Sequence, residues 1–110
     1  MARKESKVSK QATRSKIIQK VEVLCSQDWT SLEKSEQDYG DSWKKRGGIG
    51  AFMMLARKWD RIENQVNDCN YDIFLALEED GRQEGLIDDI RDLRRYLLLV
   101  EAEMALQNDE

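Results

Sequence analysis

Not one of the 110 residues is proline. No position therefore locks φ or removes a backbone donor, and helices can run until a glycine or a turn-forming polar cluster stops them. Six glycines are the main punctuation, and Ala, Leu, Lys, Glu, Gln, Arg and Met are abundant. The expectation is an all-α fold, a helical bundle of four to five helices with little or no sheet. A chain of this length buries one modest core. The reading is a basic N-terminal tail over 1–12, a single helical domain over 13–106 and an acidic end over 107–110.

Hydrophobic spacing locates the helices. Ile17, Ile18, Val21, Leu24 and Cys25 mark a first amphipathic helix that is expected to end before Ser26-Gln27-Asp28. A short second helix, capped by Asp28 or Thr30, carries Trp29 and Leu32 up to Tyr39, where Gly40 stops it. The glycine-rich stretch from Asp41 to Gly50 reads as a loop, with Gly50 opening the next helix. Ile49, Phe52, Met53, Leu55, Ala56, Trp59, Ile62 and Val66 then form the clearest apolar face of the sequence. A turn at Asn67–Asn70 and a short helical segment with Tyr71, Ile73, Phe74, Leu75 and Leu77 lead to the last helix. That helix is expected from about Gln83 to beyond Met104, with Leu86, Ile90, Leu93, Leu97, Val100 and Met104 as its core stripe.

Composition excludes several chemistries. There is no histidine, so neither a Ser-His or Cys-His catalytic unit nor a His-ligated metal can form. Two cysteines, Cys25 and Cys69, have no metal-binding spacing; both are expected reduced, Cys25 as a small apolar filler. No stretch has the length of a membrane span or the apolar run of a secretory signal, which places the chain in the cytoplasm. The net charge of −4 argues against nonspecific nucleic-acid binding, and the basic N-terminus reads first as a solvated tail.

What remains is carboxylate chemistry. Asp88, Asp89 and Asp92 stand within about one turn of the most apolar helix, with Glu84 leading into the ridge. Asp89, Asp92 and Tyr96 share a face beside its core stripe. On the earlier long helix Glu63 falls inside the apolar face and Asp60 at its edge. Local arginines (Arg91, Arg94, Arg95) and the helix dipole can neutralise the later cluster. Alternatively, Asp60, Glu63, Asp89 and Asp92 on two helices can form an all-oxygen site for Mg2+ or Mn2+, which activates water against a phosphoanhydride. Lys58, Arg61 or the Lys44-Lys45-Arg46 cluster would then neutralise phosphate, and Trp43 or Tyr39 would stack on a base. The glycines before Ile49 can also cradle phosphate at a helix N-terminus.

Asp38-Tyr39-Gly40-Asp41-Ser42-Trp43, Lys58-Trp59-Asp60-Arg61-Ile62-Glu63-Asn64 and Glu84 through Asp92-Leu93-Arg94-Arg95-Tyr96 resemble the nucleotide modification associated domain family found largely in phages. That family is in turn similar to the MazG-like all-α nucleoside triphosphate pyrophosphohydrolases. The resemblance implies a MazG-like bundle and assigns Asp38, Tyr39, Lys58, Arg61 and Tyr96 to nucleotide binding and Asp88 and Asp92 to catalysis. It also implies magnesium-dependent hydrolysis of a (deoxy)nucleoside triphosphate to monophosphate and pyrophosphate. The full Glu-Glu-x-x-Glu motif is absent, so the rival expectation is a non-catalytic protein that sequesters a nucleotide or binds a host protein. The wide apolar girth of Leu97-Leu98-Leu99-Val100 is expected to be covered by a dimer or tetramer.

Overall fold

The structure is a computed structural model that describes residues 14–82 and 85–109. All regular structure among them is helical: α1 (Lys16–Tyr39), a 3-10 turn (Ser42–Lys44), α2 (Gly47–Asn67), α3 (Ile73–Glu79) and α4 (Leu86–Asp109). The all-α class is as the composition requires. No helix among the described residues is long and apolar enough to cross a membrane. The chain divides into two units, one up to Gly40 and one from Asp41 onward, where the sequence suggested a single one.

The first unit is α1. Ser15 caps it, its Oγ accepting from the Ile18 N–H at 3.3 Å. The expected break at Ser26-Gln27-Asp28 does not occur. That stretch contains no glycine or proline, and the Thr30 hydroxyl donates back to the Ser26 carbonyl at 3.1 Å, so the helix absorbs its turn-forming residues. Gly40 does stop it, at φ 62° and ψ −137°, a conformation open to glycine almost alone, while its N–H donates to the Glu36 carbonyl. Cys25 is exposed rather than a filler.

In the second unit α2 and α4 run antiparallel, with α3 folded against one end. The core is small: Ile62, Val66, Cys69, Ala76 and Leu86, with Leu93 packed on it. It is Cys69, not Cys25, that is buried. Its thiol donates to Glu79 at 3.4 Å, and burial, then that contact, pushes it above the ordinary thiol range. The broad apolar face of α2 is only partly used. Ala51, Ile62 and Val66 are buried, whereas Ile49, Phe52, Met53 and Trp59 are exposed. On α4 the expected stripe is used in part: Leu86 is buried and Leu93 packs on the core, but Asp89 beside the stripe is buried as well, while Ile90, Leu97 and Met104 are exposed. The helix also continues through Gln107 to Asp109, so 107–109 is not a separate end.

The entry to α4 is built around Asp80. Its carboxylate accepts the Leu86 N–H, and takes the Arg82 guanidinium at 3.0 Å and the Arg82 N–H at 3.2 Å. The Arg82 contact, then the Leu86 N–H, holds its pKa down at about 2. The expected helix start at Gln83, and Glu84 of the acidic ridge, lie outside the described residues. Gly85 has no room for a side chain, because a Cβ there would run into the Asp80 carboxylate. A carboxylate fixed by several bonds cannot swing aside, so Gly85→Ala is expected to lower unfolding stability by about 1–3 kcal/mol, as overpacking does. Urea denaturation checks this, and an unchanged midpoint would show that the Asp80 cap is soft.

Candidate functional site

Three acids and four cations meet where α4 crosses α2. Asp89 is 1% exposed; its Oδ1 accepts from Arg61 Nε at 2.8 Å, and Arg82 Nη2 stands 3.4 Å from Oδ2. That second contact satisfies an ion-pair distance but not hydrogen-bond geometry, since Oδ2 is buried without a hydrogen-bond partner among the described residues. One turn on, Asp92 pairs with Lys58 at 3.0 Å. Asp88 pairs with Arg91 at 2.9 Å and accepts the Gly85 N–H at 3.0 Å. Asp88 and Asp89 also sit in the first turn of α4, where the helix dipole favours negative charge. Of these four cations only Arg91 belongs to α4; Lys58 and Arg61 come from α2 and Arg82 from the segment before α4. Two of them, Lys58 and Arg61, are residues that the family resemblance assigned to nucleotide.

The other acid pair points elsewhere. The face of α2 turned to α4 runs through Ala51, Leu55, Lys58, Ile62 and Val66. At 3.6 residues per turn Asp60 stands roughly 160° from that stripe. Glu63 stands roughly 100° from it on the Trp59 side, and Arg61 roughly 100° from it on the other. Both acids are exposed. The structure thus brings Asp89 and Asp92 to Arg61 and Lys58, and does not bring them to Asp60 and Glu63. Among the described residues no group of three Asp, Glu, Cys or His side chains is placed to hold a metal ion. The donor set of the described residues, as it stands in one chain, does not fit Mg2+ or Mn2+. Asp38 and Tyr39 lie in the first unit, both exposed, and Tyr96 is half-buried on α4.

A different concavity lies further along the same helix pair. A groove of about 420 Å³ opens between the Ser42–Lys44 turn, the start of α2 and the last turns of α4. Trp43, Ala51, Phe52, Leu55, Val100 and Met104 make it apolar. Its edge is polar: Lys44 Nζ meets Glu103 Oε1 at 2.7 Å, and Gln107 donates to the other Glu103 oxygen at 3.1 Å. Lys44 is raised above the usual lysine range by that hydrogen bond, and Glu103 is lowered by Lys44 and then by Gln107. Gly47 and Gly48 also line the groove. They open α2 with no side-chain capping bond from Arg46, and nothing stands within 4 Å of where their Cβ atoms would be. The first-turn N–H groups of a helix carry partial positive charge and suit an anion.

Sequence reasoning singled out Trp43, the basic cluster and the glycines, but it expected α2 to open at Gly50 rather than at Gly47, where the helix begins. It missed Glu103, although that residue stands three and seven positions after Val100 and Tyr96 on the face turned to α2. It also missed Arg82, because nothing in a short connecting segment signals which acid an arginine will reach. Compared with protein-family models, curated proteins and solved structures, the chain matches none.

Proposed function

We propose that this chain is a nucleotide-binding protein that holds its ligand without hydrolysing it. The observation that carries this reading is the apolar groove walled by Trp43, with the open N-terminus of α2 and Lys44 along one edge. Its volume lies in the range of small-molecule sites, which are apolar with a few placed polar groups. A base would stack on Trp43 and contact Phe52 and Met104. Its phosphates would reach the N–H groups at Gly47 and Gly48 and the Lys44 ammonium. Non-catalytic sequestration of a nucleotide, in phage metabolism as the family resemblance suggests, is consistent with acids that are already paired with Arg61, Arg82, Lys58 and Arg91.

Calorimetry with triphosphates of the common bases, run first with magnesium and then with EDTA, tests this. Binding is expected in both, without pyrophosphate release, and Trp43→Ala is expected to weaken it by about tenfold, the loss of one stacked base. Magnesium-dependent turnover that disappears in Asp92→Ala would support the hydrolytic reading instead, with Asp60, Glu63, Asp89 and Asp92 on the metal. No binding at all would remove both.

The same reading includes self-association. Ile49, Met53 and Trp59 on α2 are 82%, 51% and 54% exposed, and among the described residues the exposed large hydrophobics far outnumber the buried ones, Ile62, Val66 and Leu86. Apolar surface of that extent is what a second copy covers. Light scattering is expected to give two or four times the chain mass of 12.9 kDa. The mass of one chain would contradict it.

A further inference from the structure

We propose that Glu103 acts as an internal anion, holding Lys44 in the groove until a phosphate-bearing ligand displaces it. Glu103 would thus be the residue that makes the groove select for negative charge. This rests on the reading of the groove as a nucleotide site. Lys44 is the one cation and Glu103 the one anion among the described residues that line it. They come from positions 59 residues apart, one on the turn before α2 and one on α4, and meet at 2.7 Å. Asp41, the other acid near Lys44, is 3.9 Å away and outside the lining. Gln107 holds the second Glu103 oxygen, so the carboxylate is fixed rather than swinging free.

The arrangement sets up an exchange. Lys44 and Glu103 side chains are 37% and 29% exposed, enough for an incoming group to reach the ammonium. A neutral ligand filling the apolar part has nothing to offer Lys44 in place of the carboxylate. A phosphate brings more charge and more acceptor oxygens than one carboxylate, and beside it lies the open helix N-terminus at Gly47 and Gly48. Only such a group recovers what breaking the pair costs. Because Lys44 and Gln107 keep Glu103 below the usual carboxylate range, the competition operates throughout neutral pH.

Glu103→Gln keeps the size of the side chain and an acceptor for Lys44 but removes the charge. With the base that binds best to the wild type, the nucleoside, its monophosphate and its triphosphate are titrated against both proteins. The monophosphate and triphosphate are expected to bind the variant about tenfold more tightly, the scale of a single charged hydrogen bond, and the nucleoside equally. Unchanged or weaker phosphate binding, or an equal gain for the nucleoside, would overturn the role of Glu103. If the variant fails a circular-dichroism check of its fold, Gln107→Leu, which frees one Glu103 oxygen without changing charge, decides: a smaller gain in the same direction is expected, and no gain overturns it. Trp43-dependent binding that ignores both substitutions would remove only this role. Absence of nucleotide binding in every protein would remove the groove reading as well.

Discussion

A carboxylate removed from water on the face of a helix that must pack is tolerated only if a cation and hydrogen bonds replace its hydration. Asp89 is that carboxylate, and Arg61 and Arg82 are its replacement. The pair does more than neutralise charge. Arg61 lies on α2 and Arg82 on the segment before α4, so one buried acid ties both to the start of the last helix. It also fixes the rotation of α4 about its own axis. Val100 is eleven residues, close to three full turns, beyond Asp89, and it therefore faces α2 on the same side. The Lys58–Asp92 pair repeats the contact one turn along. The groove at Trp43, Phe52, Val100 and Met104 is where that register leads.

Much of this architecture was legible. The absence of proline and the three-to-four spacing gave the helical class, Gly40 gave the end of α1, and the Asn67–Asn70 cluster gave the turn that follows α2. The turn is completed by Asn70 and Tyr71 at positive φ, which Asn accepts readily and Tyr does not. What periodicity could not give was which part of a wide apolar face is buried. Ile49, Phe52, Met53, Ala56 and Trp59 satisfy the pattern as well as Ile62 and Val66 do. The choice between them is made by the partner helix, whose buried face contains an aspartate. A stripe assigned from hydrophobicity alone contains Leu86, Leu93 and Val100 but omits Asp89, and so centres the buried face of α4 too far toward Ile90 and Leu97.

The same omission explains the acids. Read as a row of like charges, Asp88, Asp89 and Asp92 call for a cation, and a metal shared with Asp60 and Glu63 is one answer. The other answer, Lys58 and Arg61 from α2 with Arg91 from α4 itself, is present at 2.8 to 3.0 Å. Spacing of three is equal for the two acid pairs, but spacing says nothing about which way two helices turn. Asp60 stands on the side of α2 away from α4. The positive groups that would serve phosphate at Lys58 and Arg61 are engaged in structure, and the ligand-sized concavity has its own lysine.

The most direct test is the stability of Arg61→Ala beside Lys58→Ala, by chemical denaturation. Removing Arg61 leaves Asp89 buried with Arg82 alone and is expected to cost about 1.5–3 kcal/mol, the range for hydrogen bonds to charged groups. Removing Lys58 exposes an acid already in contact with water and is expected to cost under about 1 kcal/mol. If Arg61→Ala were no less stable than the wild type, Asp89 would not be the anchor of the fold.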